Sequence, residues 1–168
     1  MENIRISGIE KESIVDGPGI RYVIFVQGCP HHCPGCHNPQ THDFDGGKDK
    51  RFEEILSDLD RNPLLSGVTF SGGEPFCKAK ELLELAKEIR KKCLNIVCYS
   101  GYTFEELLEK GKREPEIIEL LKLSDLLIDG KFILEEKSLM LKFRGSKNQR
   151  ILNLPASLEA GEAVLAEI

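Results

Sequence analysis

The sequence predicts an α/β fold, a partial (β/α) barrel of mostly parallel strands, in a single domain covering residues 1–168. Three observations predict it. Short runs of β-branched and aromatic residues alternate with stretches whose apolar residues recur at helical spacing, the order that builds parallel sheets through crossover connections. The junctions between them are dense in Gly, Pro, Asp and Ser, residues that turn a chain. The chain, at 168 residues, also falls well short of the ~250 that eight strand–helix units need, so one side of the barrel should be left uncovered.

In chain order, a polar start leads to a loop over Ser13–Gly19, because Asp16-Gly17-Pro18-Gly19 is rich in turn formers. Ile20–Val26 is a β-branched and aromatic run and reads as a buried strand. The loop after it carries three cysteines. Thr41–Lys50 is a turn-rich connection, and Phe52, Ile55, Leu56 and Leu59 then give a helix over Arg51–Asp60, closed by Asn62-Pro63. Gly67–Phe70 is the second strand, Ser71–Pro75 a glycine-rich turn, and Lys78–Lys92 a helix with Leu82, Leu85, Ala86 and Ile89 on one face. The third strand, Asn95–Tyr99, precedes helical patterns around Phe104–Lys110 and Pro115–Lys122. The fourth, Leu126–Ile128, stops at Asp129-Gly130. A polar turn at Gly145–Asn148 leads to a last strand over Gln149–Leu154, and the tail from Pro155 has no assignable pattern.

Bulk properties narrow the function. A net charge of −5 gives no basic field, which argues against nucleic acid as the main partner. The longest apolar run, Tyr22–Val26, is far too short to cross a bilayer. No basic, apolar, small-residue order opens the chain, so a cytoplasmic protein is expected, with its six cysteines reduced or metal-bound.

The informative loops all follow predicted strands, and in parallel α/β folds such loops gather on one rim. Foremost is Gly28–Pro39, which holds Cys29, Cys33 and Cys36. Its prolines and Gly35 disfavour helix and strand, so the backbone curls and can turn three sulfurs toward one centre. A closed zinc or iron-sulfur site asks for four protein ligands, and no fourth cysteine follows at short spacing. Three thiolates leave one coordination position open to a small molecule. Half of a zinc knuckle is the plainer alternative.

A CxxxCxxC loop after the first strand resembles the radical S-adenosylmethionine enzymes. That resemblance implies a 4Fe-4S cluster on Cys29, Cys33 and Cys36, with S-adenosylmethionine as cosubstrate on the open iron. Many members place an aromatic residue before the last cysteine, whereas this chain has Gly35; His37 is then the candidate to pack on the adenine. Ser71-Gly72-Gly73-Glu74-Pro75, taken alone only a turn, is similar to the family stretch that offers backbone oxygen to the methionine ammonium. Glycines allow that approach, and an ammonium needs acceptors. The same resemblance puts Gly35, Cys36, His37, Gly72, Gly73, Glu74, Ser100, Asp129 and Lys131 at the cofactor, although the last two also read as a solvated strand end.

Gly17-Pro18-Gly19-Ile20-Arg21 ahead of the cysteine loop resembles the glycyl-radical-activating branch of these enzymes. In that branch the partner is a glycyl radical enzyme, and an electron donor feeds the cluster. The short chain and Cys33-Pro34-Gly35-Cys36-His37-Asn38-Pro39 are most similar to activases of anaerobic ribonucleoside-triphosphate reductase; pyruvate formate-lyase activases are the runner-up. Asp16, Gly17, Pro18, Gly19 and Arg21 would then dock the protein substrate, the first loop acting as a lid. A non-catalytic iron-sulfur carrier or a zinc adaptor is the alternative of a different class. Cys77, Cys93 and Cys98 are expected to be structural thiols, and His31, His32 and His42 to satisfy backbone groups.

Overall fold

A computed structural model describes residues 3–168. Seven strands, β1 (Asn3–Ser13), β2 (Arg21–Val26), β3 (Lys48–Arg51), β4 (Gly67–Gly72), β5 (Asn95–Tyr99), β6 (Leu126–Asp129) and β7 (Arg150–Asn153), form one sheet in the order β3-β1-β2-β4-β5-β6-β7. The middle, β2-β4-β5-β6, is parallel, and both flanks are antiparallel. The result is a mixed α/β sheet that does not close on itself. Five helices accompany it: α1 (Phe52–Arg61), α2 (Ala79–Lys91), α3 (Phe104–Lys110), α4 (Pro115–Leu123) and α5 (Leu154–Ala160).

Strand register explains where the helices go. Pairing aligns Ile24, Phe70, Cys98, Leu127 and Leu152 in one row across the sheet, and Tyr22, Val68 and Ile96 in the next. All are buried in one core with Ile55, Leu85, Leu107, Leu120 and Leu154 from the five helices. Each such side chain contributes roughly 1.5–3 kcal/mol by leaving water. α3 starts with a capping box, the Thr103 hydroxyl accepting from the Glu106 amide at 3.1 Å and the Glu106 carboxylate from the Thr103 amide at 2.9 Å.

Three strands differ from the expected parallel order, each for a local reason. β1 is not evident in the sequence because only Ile4 and Ile6 of its residues are both apolar and fully buried; Ile9 is half-buried and most of the rest is polar. β3, Lys-Asp-Lys-Arg, has no apolar residue and exists only as an edge partner of β1. β7 returns antiparallel to β6 because no crossover α-helix separates them. The tail also holds a helix, α5, with Asn153 as its N-cap, Pro155 in the first turn and Gly161 at φ +75 as its stop.

The opposite sheet face carries Arg21, Val23, Thr69 and Val97, all buried, and its cover is the Ile14–Ile20 loop. The Thr69 hydroxyl donates to the Asp16 carbonyl at 2.8 Å. Arg21 sits beneath: its Nε donates to Thr69 Oγ1 at 2.7 Å, Nη1 to the Pro18 carbonyl at 3.0 Å and Nη2 to the Val68 carbonyl at 2.9 Å. Its side chain is therefore an internal strut for the loop, not part of a docking surface, which corrects the sequence expectation. Burial lowers its pKa to about 10, which still leaves it charged at neutral pH. Replacing Arg21 with Met orphans several buried acceptors, so a loss on the order of 3 kcal/mol is expected in anaerobic urea denaturation. Among the described residues, no helix is long and apolar enough to cross a membrane.

Candidate functional site

The carboxyl ends of β2, β4, β5 and β6 meet at a cavity of about 190 Å³. The loop after β2 contributes Cys29, Cys33, Cys36 and His37, the turn ending β4 contributes Gly72 and Gly73, β5 and its following loop give Tyr99 and Ser100, and the loop after β6 gives Gly130. Asp16 enters from the β1–β2 loop.

The cysteine loop is a closed excursion. Its two ends are tied by Gly28 N–H donating to the Thr41 carbonyl at 2.6 Å and Cys29 N–H to the His42 carbonyl at 3.2 Å. Buried Gln27 anchors the same neck, its Nε2 donating to the carbonyls of Gln40 and Asp43. Gly28 has φ +104, and a Cβ there would lie 2.4 Å from the Phe44 ring, so glycine is required at the exit from β2. Cys36 N–H donates to the Cys33 carbonyl at 3.0 Å, which turns both side chains toward the cavity that Cys29 lines. Burial pushes the Cys29 thiol pKa up.

Glu74 joins three segments around this loop. It is 0% exposed. Its Oε1 accepts from His31 Nε2 at 2.7 Å and from the Gly101 amide at 2.8 Å; its Oε2 accepts from the Ser100 hydroxyl at 2.9 Å and the Phe76 amide at 3.0 Å. Both oxygens are occupied, and the carboxylate fixes the turn rather than facing the cavity. His31 thus bonds a side chain, where a backbone partner was expected. Its ring lies so close over Gly101 that a Cβ there would sit 2.4 Å from it.

The glycine pair has an equally specific setting. A Cβ at Gly73 would be 2.4 Å from the Gly28 carbonyl oxygen, so only glycine lets β4's end approach the neck of the cysteine loop. Gly73 N–H donates to the Val26 carbonyl at 3.0 Å and Glu74 N–H to the Gly28 carbonyl at 2.8 Å. With those two amides taken, the Gly73–Glu74 part of the turn presents carbonyl oxygen rather than N–H to a ligand, and the Ser71 hydroxyl lies on the same wall. The donor set fits an iron-sulfur group that binds a cationic cosubstrate. Three thiols, one backbone acceptor surface and His42 Nε2, buried without a partner among the described residues, surround one cavity. Desolvation and nearby His32 lower the His42 pKa. Among the described residues, no three such side chains already stand at single-ion spacing.

The family model for a 4Fe-4S single cluster domain matches residues 15–152. The chain belongs to that family. It is 36% identical over 149 residues to the anaerobic ribonucleoside-triphosphate reductase-activating protein of Escherichia coli strain K12, covering 84% of this chain and 93% of the relative. The Vibrio cholerae protein of the same name is 36% identical over 146 residues, 82% and 90% of the two chains. A pyruvate formate-lyase-activating enzyme of Clostridium pasteurianum is 40% identical over 114 residues, 62% of this chain and 48% of that one.

As a member of the 4Fe-4S single cluster family, the chain departs from the sequence expectations at several residues. Asp129 is 1% exposed and does not line the cavity. Its Oδ1 accepts from Arg150 Nε at 3.0 Å and its Oδ2 from the Phe104 amide at 2.7 Å, which caps α3. Lys131 is exposed away from the cavity, and Gly35, at φ +74, backs onto Leu134. Gly17 is buried against Arg21 and Val97, whereas Gly19 is exposed beside Ser66.

The cavity also takes in residues the sequence does not assign to it, among them His42, Phe132, Gly145 and Gln149. Phe132 meets the His37 ring at 5.1 Å between centroids, and its place in Asp129-Gly130-Lys131-Phe132 was the available signal. Gly145 and Gln149 arrive from a turn and a strand start that no local pattern links to the rim. Gln149 Oε1 accepts from Gly145 N–H at 2.8 Å while its Nε2 donates to the Gly130 carbonyl at 3.0 Å, knitting the two sides.

Arg150 also reaches Glu105 Oε1 at 2.7 Å, and its guanidinium holds the Glu105 carboxyl below the usual range. A depressed carboxyl contributes stability that is present above the unfolded pKa of ~4.3 and lost as pH falls through the folded value. The melting-temperature difference between wild type and Glu105→Gln is expected at neutral pH and should vanish in acid. Glu105 is more than half exposed, so the difference will be small.

Proposed function

We propose that this protein is an activating enzyme that installs a glycyl radical on an anaerobic ribonucleoside-triphosphate reductase, with Cys29, Cys33 and Cys36 holding a 4Fe-4S cluster and S-adenosylmethionine as cosubstrate. The observation that carries the reading is the opposition, across one cavity, of three thiols and a glycine turn whose Gly73 and Glu74 amides are already bonded. Cys29, Cys33 and Cys36 would hold the cluster, which would supply the one electron needed to cleave S-adenosylmethionine reductively into methionine and the 5'-deoxyadenosyl group that would take a hydrogen from a partner's glycine and leave as 5'-deoxyadenosine.

The chain's own groups bind and orient. Gly72 and Gly73 offer carbonyl oxygen to the methionine ammonium, and Ser100, held by Glu74, fixes the neighbouring wall. The His37 and Phe132 rings form an apolar face suited to the adenine. Asp16 and the loop around it shield the cavity from water and border the route of the protein substrate. No general base is needed. We read residues 1–168 as one domain, the open sheet as a partial barrel of the radical S-adenosylmethionine type, and the protein as cytoplasmic and served by an external electron donor.

The test is anaerobic paramagnetic resonance of the reductase after incubation with the reconstituted, reduced protein and S-adenosylmethionine. A glycyl radical doublet is the expected result, and its absence defeats the assignment. The resemblance to a pyruvate formate-lyase-activating enzyme supports a second reading, activation of that partner, which the same measurement with pyruvate formate-lyase separates.

A further inference from the structure

Two loops outside the cofactor-binding roles face one another beside the cavity. Ile14 and Val15, on the β1–β2 loop, are 73% and 69% exposed; Leu139 and Met140, at the tip of residues 137–146, are 90% and 93% exposed. Between these loops runs a groove of about 470 Å³, with Leu141 and Phe143 on its wall. Groove and cavity share Asp16, His37, Tyr99 and Gly145, so they form one continuous depression.

The tip is pinned in its exposed position. Lys137 bridges to Ser146, Ser138 N–H donates to the Gly145 carbonyl at 3.3 Å, and the Tyr99 hydroxyl donates to the Phe143 carbonyl at 2.5 Å. Phe143 has φ +64, a left-handed backbone that a non-glycine residue keeps only when its surroundings enforce it. Such enforcement holds apolar side chains in water beside a reactive cavity, where a partner could cover them.

Charge identifies the occupant. Lys137, Lys142 and Arg144 line the groove, and among the described residues none of them has an ion-pair partner. Arg144 Nε is buried with no hydrogen-bond acceptor among the described residues. Asp16 is the one carboxylate among the lining residues, and its Oδ2 accepts the Ser13 hydroxyl at 2.6 Å. A basic, apolar groove on a chain of net charge −5 is complementary to an acidic, apolar polypeptide.

We propose that this groove docks an extended segment of the protein substrate, its apolar residues against Ile14, Val15, Leu139 and Leu141 and its acidic residues against Lys137, Lys142 and Arg144, so that the adjoining glycine enters the cavity. This rests on the activase reading above. A glycine suits the passage because its backbone, lacking Cβ, can approach a crowded centre.

The test uses the full-length, anaerobically reconstituted protein and purified anaerobic ribonucleoside-triphosphate reductase. The variants are Leu139→Ser, and Lys137→Glu with Lys142→Glu; all three side chains are exposed and line the groove, and none lines the cofactor cavity. Each variant is expected to raise the Kd for the reductase tenfold or more. The charge pair should also flatten the salt dependence of binding, while reductase-independent cleavage of S-adenosylmethionine with a chemical reductant stays within twofold of wild type. Wild-type binding by either variant overturns the groove assignment. So does a wild-type dimer in sedimentation that both variants dissociate, since the groove would then cover a second copy. A wild-type protein that raises no glycyl radical on the reductase overturns the activase reading itself.

Discussion

Alanine at Cys29, Cys33 or Cys36, one position at a time, is expected to abolish assembly of a 4Fe-4S cluster, whereas alanine at Cys77, Cys93 or Cys98 should leave iron and sulfide content at the wild-type level. All six thiols are free, so composition alone does not separate the two sets. Position does. The first three line one cavity at the end of β2. Cys98 points to the other sheet face, 0% exposed in the row with Ile24 and Phe70, and burial pushes its thiol pKa up to about 12. Cys93 is exposed just past the end of α2 at φ +61, on a helix terminus rather than the rim. Cys77 is the demanding control because it follows Glu74 by three residues; it is exposed and does not line the cavity, and its thiol is pushed up to about 11 chiefly by desolvation. Anaerobic iron and sulfide analysis after reconstitution measures all six variants alike. Loss of the cluster in Cys77→Ala would mean a fourth thiol ligand and would refute the open coordination position on which S-adenosylmethionine binding depends.

How much of this is legible in the sequence depends on where each signal lies in the chain. The parallel centre was legible because β2, β4 and β5 are buried on both faces and read as apolar runs, and because turn residues follow each one. The three cysteines were legible from spacing within one loop. β3 was not, since a strand without apolar residues is specified only by the partner it pairs with. The same holds for Asp129, whose position after β6 suggested the cofactor; the arginine that occupies it, Arg150, lies 21 residues away. Arg21 misled for a related reason. A charged residue next to a surface loop reads as exposed, yet its partners Thr69 and Val68 come from β4. Phe132 and Gln149 became part of the site only once the segment after β6 folded back over the rim.

Glu74 shows the same limit most sharply, because its role is entirely tertiary, and it carries the second large prediction. From sequence it is a carboxylate in a glycine turn, placed at the cofactor by resemblance, whereas the fold turns it away from the cavity. In the fold it accepts four hydrogen bonds, from the cysteine loop through His31, from its own turn through Phe76, and from the loop after β5 through Ser100 and Gly101. Glu74→Ala leaves those donors buried and unsatisfied, at roughly 1–3 kcal/mol each before relaxation. A net loss of about 3–5 kcal/mol is expected, a large part of the 5–15 typical of a domain. Glu74→Gln keeps the volume but replaces one acceptor oxygen with an NH₂ group that must face donors, so it should fall between alanine and wild type. The His31 contact is separable by a double-mutant cycle with His31→Ala, measured by anaerobic urea denaturation of the cluster-free protein. A coupling of about 1.5–3 kcal/mol is expected, the range for a hydrogen bond to a charged group. Additive single effects would mean that His31 and Glu74 do not hold the cysteine loop against the glycine turn, and the relative position of thiols and backbone acceptors would need another source.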